Sequence, residues 1–286
     1  MKLSRRLFAL FALGIPAALQ GQADSASRSW NQPVTPFRLI DNIYYVGASG
    51  VTSFLIVTPA GHILTDGGLA ETAPLILDNI EKLGFKSADV RILLNSHAHY
   101  DHAGGLAALK HATGAQLYAH PGDAELLEAG GRGDFWFGDR FPFAPVSVDR
   151  LIRDGEVIRL GGTALTIQHT PGHTRGCTSW TTTVSSGNRT ANVVFICSTS
   201  ILDYRFVTDP SYPDIAGDFE RTFHRLESLP CDVLLSAHAG FFDLHGKRVK
   251  QQGARANPFV DPALCRRFIT AQKKAFQEAL ARQSRR

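Results

Sequence analysis

Asn95-Ser96-His97-Ala98-His99-Tyr100-Asp101-His102-Ala103-Gly104-Gly105 follows directly on the apolar run Val90-Arg91-Ile92-Leu93-Leu94. A short apolar run bounded by Asn, Ser and Gly reads as a buried strand. The ligand-type residues then sit on a loop at the strand's end, where a rigid scaffold carries chemistry. Alternate residues of an extended segment point the same way, so His97 and His99 can share one metal ion. Asp101 and His102 turn toward a neighbouring position. Gly104 and Gly105 permit a tight turn before a helix. A lone histidine is ordinarily structural, but three histidines and an aspartate at this spacing read as a metal site. Imidazole and carboxylate donors without thiolate suit zinc, with iron or manganese as alternatives.

Working outward, strand-like runs recur at 43–46, 53–58, 62–65 and 116–119, with a helix over 73–83 whose Leu75, Ile76, Ile80 and Leu83 share a face. A second set starts near Val146, with strands at 157–160, 164–168, 178–184, 193–197 and 233–236. Helices follow at about 217–228 and 262–280, the last with Asp261 as N-cap and Pro262 in the first helical position. Strands and helices mix in both halves, which predicts an α/β protein with two sheets covered by helices. Two further histidines stand at strand ends, in Thr170-Pro171-Gly172-His173-Thr174 and in Ser236-Ala237-His238-Ala239-Gly240. The six ligands divide into two sets, His97, His99 and His173 against Asp101, His102 and His238. Three protein ligands per zinc leave a coordination position open, the mark of a catalytic site.

The chain has 286 residues, 44% hydrophobic and 20% charged, and a formal net charge of +4. These values describe a globular protein and exclude a disordered polymer or a polytopic membrane protein. Residues 1–23, MKLSRRLFALFALGIPAALQGQA, have a basic start, a short apolar run interrupted by Gly14 and Pro16, and a small-x-small end, Gly21-Gln22-Ala23. That reads as an export signal, too short to span a membrane, with residues 24–286 as the mature domain. Ser4-Arg5-Arg6-Leu7-Phe8 also resembles the twin-arginine form. Lys2, Arg5 and Arg6 account for three of the four excess positive charges. The mature chain is therefore nearly neutral, with no case for a nucleic-acid partner and, once the signal is removed, none for a membrane. No additional interface segment is visible, so a monomer is expected.

HAHYDHAGG, HTPGHTRG and the late strand–His238 resemble the metallo-β-lactamase superfamily over essentially the whole mature chain. The resemblance implies a four-layer αβ/βα sandwich with a dimetal site at one edge. Many hydrolases of thioesters, lactones and phosphodiesters in that superfamily place an aspartate after the strand at 193–197. Here Cys197-Ser198-Thr199-Ser200 stands there and Asp203 lies too far on. With His102 present, the pattern resembles subclass B3. It implies two Zn2+ per chain, a periplasmic location, and hydrolysis of β-lactam antibiotics (penicillins, cephalosporins, carbapenems) by a dizinc-bridging hydroxide. The alternative is another dimetal hydrolase of the same fold, a lactonase or thioesterase. No serine-nucleophile motif stands in a suitable context.

The resemblance also assigns finer roles. Asp101 both ligates and orients the nucleophile. Ser198 and Ser200 match positions that hydrogen-bond the substrate carboxylate, and Tyr204 is expected to reach the carbonyl oxyanion. Trp30 to Gly47 resembles the subclass's entry segment. Phe135, Trp136 and Phe137 either wall the site or pack elsewhere. Cys231 and Cys265 match a late disulfide, reasonable in an oxidising compartment. Cys197 and Cys177 are expected to remain thiols, Cys197 as a buried apolar side chain rather than a ligand.

Overall fold

The computed structural model describes residues 28–285, and the export signal read over 1–23 lies outside them. Two sheets form the centre. The first has seven strands in chain order: β1 (Phe37–Ile40), β2 (Ile43–Tyr45), β3 (Phe54–Thr58), β4 (Gly61–Thr65), β5 (Val90–Leu94), β6 (Gln116–Ala119) and β7 (Arg150–Leu151). It is antiparallel through β4 and parallel from β4 to β7. The second has five strands: β8 (Val157–Leu160), β9 (Thr163–His169), β10 (Thr178–Ser186), β11 (Arg189–Ile196) and β12 (Val233–Ser236), arranged β12-β11-β10-β9-β8. Only β11 and β12 run parallel in it.

The helices are α1 (Ala73–Lys82), α2 (Tyr100–Ala103), α3 (Leu106–Thr113), α4 (Pro121–Glu128), α5 (Ile215–Ser228), α6 (Leu244–Gln251) and α7 (Pro262–Ser284). Period-2 alternation sends strand side chains to opposite faces. Phe54, Ile56, Ile63, Ile92 and Leu94 therefore meet the second sheet, where Phe54 packs edge-on against Phe195 at 5.5 Å. Leu55, Leu64 and Leu93 point the other way, onto Ile76 and Ile80 of α1 and Leu106 and Leu109 of α3. On the far side, Phe219 and Phe223 of α5 pack with Phe276 of α7. The result is the expected helix–sheet–sheet–helix sandwich. Asp261 caps α7 by accepting from the Leu264 amide at 2.9 Å, with Pro262 beginning the helix.

Two local expectations change, and one gains a different reason. The first sheet takes in β7, so the halves divide after Leu151 rather than near Val146. β1 adds an edge strand that the pattern reading passed over. Gly104 and Gly105 form the expected turn before α3, and they do so at ordinary negative φ. A Cβ on Gly105 would lie 2.3 Å from the Gly67 carbonyl, so close approach of the 67–70 segment excludes a side chain there.

Two disulfides staple the second half. Cys231 pairs with Cys265, joining the lead-in to β12 with α7. Cys177 pairs with Cys197, which corrects the expectation of two thiols. Cys177 stands just before β10 and Cys197 just after β11. The antiparallel pairing, with Trp180 opposite Phe195, brings their Cα atoms within 5.9 Å. That is within disulfide range.

Candidate metal centre

Strands β4, β5, β6, β9, β11 and β12 all end on one edge of the sandwich, and the segments leaving them assemble the site. Segment 95–99 leaves β5 extended, with His99 at φ −86° and ψ 152°, and α2 begins at Tyr100. The helical turn starts before the two glycines and swings Asp101 and His102 away from His97 and His99. His173 comes from the turn after β9. His238 follows β12 and is held by a bridge to Val51, with Thr52 N donating to the Ala237 carbonyl at 3.1 Å.

The six residues converge as two sets of donors. His99 Nδ1 lies 3.1 Å from His173 Nε2, and His97, His99 and His173 each turn a donor atom into a space under 4.8 Å across. His97 Nε2 is buried without a hydrogen-bond partner. In the second set Asp101 Oδ2 lies 3.3 Å from His102 Nε2 and 3.4 Å from His238 Nε2, and these two nitrogens are 3.3 Å apart. A tetrahedral zinc with bonds of about 2.0–2.1 Å has ligand–ligand edges of about 3.3–3.4 Å. Asp101, His102 and His238 thus present a ready face for the ion, so the residues fit the metal.

Electrostatics agree. Burial, then repulsion among the imidazoles, holds His97 and His173 well below the usual histidine range and His238 down to about 4. They are neutral bases at pH 7, the form that ligates. Burial works to raise the Asp101 carboxyl, but adjacent His102 and His238 outweigh it and hold the group low and ionised. His102 is raised, since its pairing with Asp101 and the nearby Asp66 charge outweighs burial.

Groups that motif reading passed over, three of them carboxylates, stand around the outer nitrogens and tie the loops. Asp66, at the end of β4, faces His102 Nδ1 at 4.0 Å and accepts from the Ser96 amide at 2.7 Å. Its φ of +54° is a strained setting for a non-glycine residue, and burial raises its carboxyl to about 6. Asp123 in α4 accepts from Ala98 N, Gly176 N and Thr174 Oγ1 at 3.0, 2.8 and 2.7 Å. It thereby ties the 95–99 segment to the His173 turn. Asp134 lies 3.5 Å from His99 Nε2. Burial works to raise its carboxyl, yet His99 and the Phe137 and Trp136 amides lower it overall. Asp66 in Thr65-Asp66-Gly67-Gly68, an acidic residue at a strand end before glycines, was the one signal available in sequence.

The remaining predicted residues take these places. His173 Nδ1 donates to the Ser200 carbonyl at 3.0 Å, which leaves Nε2 with its lone pair for the metal. Tyr204, expected to donate to a substrate oxyanion, is fully buried, and its hydroxyl donates to the His173 carbonyl at 3.1 Å. That hydroxyl already has its partner in the folded chain. Ser198 Oγ accepts from the Ser200 amide at 3.2 Å, and Asp203 is exposed. Cys197 Sγ sits 3.6 Å from His97 Nδ1, behind the ring, so it does not face the ligating nitrogen. Phe137 meets His99 edge-on at 4.9 Å, and Trp30 and Phe241 flank His238 at 5.3 and 5.6 Å.

The family model described as "Metallo-beta-lactamase superfamily" matches residues 46–238. The chain belongs to the metallo-β-lactamase superfamily. Among solved structures, the native FEZ-1 metallo-beta-lactamase from Legionella gormanii is 41% identical with a TM-score of 0.87, covering 89% of this chain and 98% of that one. BJP-1, a subclass B3 metallo-beta-lactamase of Bradyrhizobium japonicum, is 40% identical with a TM-score of 0.85, covering 91% and 98%. A hydroxyacylglutathione hydrolase of Rhodospirillum rubrum is 26% identical over 170 residues, 59% of this chain and 54% of that protein. The chain thus spans about half the length of that superfamily relative.

Proposed function

We propose that the protein is an exported, monomeric, zinc-dependent β-lactamase of subclass B3 type, taking two Zn2+ and opening the amide of penicillins, cephalosporins or carbapenems. The observation that carries this reading is the Asp101–His102–His238 triangle beside the three-histidine set, with no carboxylate entering from 197–203. Solved relatives named as metallo-beta-lactamases align over about nine-tenths of the chain at about 40% identity. Two disulfides suit an oxidising compartment. Among the described residues, large exposed apolar side chains are scattered (Leu151, Val207, Val249), which suits a monomer.

Bound zinc lowers the pKa of water toward about 7 and polarises a carbonyl oxygen. The chain's own residues supply the rest. His97, His99 and His173 would hold the first ion, and Asp101, His102 and His238 the second. The ionised Asp101 accepts a hydrogen bond from the attacking water and orients it. The Ser198 hydroxyl, with its acceptor side used by the Ser200 amide, has its proton to donate to a substrate carboxylate, and Ser200 stands beside it. The rings of Trp30 and Phe241 beside His238, and of Phe137 beside His99, give the site apolar flanks.

The test is hydrolysis of nitrocefin and a carbapenem by zinc-loaded protein, with and without a chelator, beside a lactone and a hydroxyacylglutathione thioester. Chelator-sensitive opening of the β-lactams is expected. Cleavage of the lactone or thioester alone, at full zinc content, would assign the site to the other hydrolases of this fold.

A further inference from the structure

We propose that Asp134 is a positioning residue of the metal centre, its carboxylate holding the outer N–H of His99 and tying the aromatic segment 134–137 to the first donor set. The inference rests on the zinc assignment above but not on the β-lactam substrate.

Asp134 Oδ2 and His99 Nε2 lie 3.5 Å apart on side chains only 4% and 3% exposed. Neither atom has another hydrogen-bond partner. Buried polar atoms without partners are rare in folded proteins, and two that face each other form a pair. The tautomer follows from the other side of the ring. His99 Nδ1 lies within the first donor set, 3.1 Å from His173 Nε2, so it must offer a lone pair. The ring proton then belongs on Nε2, facing Asp134. A carboxylate at that point fixes the ring's rotation and raises its basicity toward a metal.

Asp134 also builds the segment that would face a substrate. Its Oδ1 accepts from the Trp136 and Phe137 amides at 2.9 and 2.6 Å. The Phe137 ring lies against His99, while Phe135 and Trp136 pack on Tyr204, whose hydroxyl holds the His173 carbonyl. One short segment therefore supports the outer faces of two of the three first-set imidazoles.

Asp134→Asn separates this role from simple turn formation. The asparagine oxygen still accepts the two loop amides, but the group turned to His99 becomes an amide that cannot accept its proton. In competition with a chromophoric chelator, without substrate, one zinc equivalent is expected to bind roughly 10- to 100-fold more weakly, with the other unchanged. Unchanged affinity for both equivalents would overturn the proposal. Should the variant not fold, the wild-type zinc-loaded protein decides through long-range proton–nitrogen NMR of the His99 ring. An Nε2–H shifted downfield and protected from exchange with solvent supports the pairing, and a freely exchanging Nε2–H or an Nδ1–H tautomer overturns it. Neither readout uses a β-lactam, so failure of antibiotic hydrolysis would count against the proposed function alone.

Discussion

Tyr204 has its hydroxyl 3.1 Å from the His173 Nδ1 and donating to the same residue's carbonyl, inside a cage of Phe135, Trp136, Phe206 and Phe219. Burial raises its phenol well above the usual range, so it stays protonated, and that proton is already given to the turn that carries His173. Tyr204→Phe is therefore expected to cost about 1 kcal/mol of stability. Turnover should fall by less than about tenfold, whereas removing a true oxyanion donor costs about 10²–10³. Steady-state kinetics at equal zinc content check this, and a loss of a hundredfold or more would put the hydroxyl on the substrate. The six candidate ligands were legible in sequence because each is a ligand-type residue at or just past the end of an apolar run. Asp123 and Asp134 were not, and Asp66 only as an acidic residue at a strand end, because an aspartate shows no role until its distant partners are known.

At the scale of single elements, α4 depends on a histidine. His120 precedes Pro121 and its Nδ1 accepts from the Gly122 amide at 3.1 Å, a cap that requires the unprotonated nitrogen. Its ring stacks on His169 at 3.9 Å, and burial, then the His169 and Arg153 charges, lowers its pKa to about 4. The folded value lies below the ordinary 6.5, so between those limits the unfolded chain binds more protons. The contribution of His120 is complete above about pH 6.5 and is lost as pH falls toward 4. His120→Asn keeps a capping acceptor and does not titrate. Its thermal midpoint should fall less steeply than that of the wild type across this window, as scanning calorimetry at successive pH values would show. Equal slopes would place the acid sensitivity elsewhere. α4 matters to function because it carries Asp123, which holds two of the ligand-bearing segments together.

The whole molecule is two sheets whose parallel strands end at one edge, and its staples lie in the second half only. Cys231–Cys265 fastens α7 to the start of β12, the strand that delivers His238, across a sequence separation of 34 residues. Replacing both with serine should lower unfolding free energy by about 3–4 kcal/mol on the loop-entropy account. Turnover should change little, because β12 is still held by β11 and by the Thr52 contacts. Denaturant midpoints with parallel activity assays measure both, and an unchanged midpoint would show that the closed loop is already compact in the unfolded chain.

The sequence by itself determined the strand-ended ligand pattern, the α/β alternation, the Asp261 cap and the candidates for both donor sets. These are local signals of residue type, spacing and period. The tertiary structure alone decided that Cys177 and Cys197 pair, that Gly104 and Gly105 are required by close approach, that Tyr204 faces His173, and that Asp134 faces His99. Each depends on segments distant in the chain meeting in space, and no local period encodes which atoms face each other once the sheets are stacked.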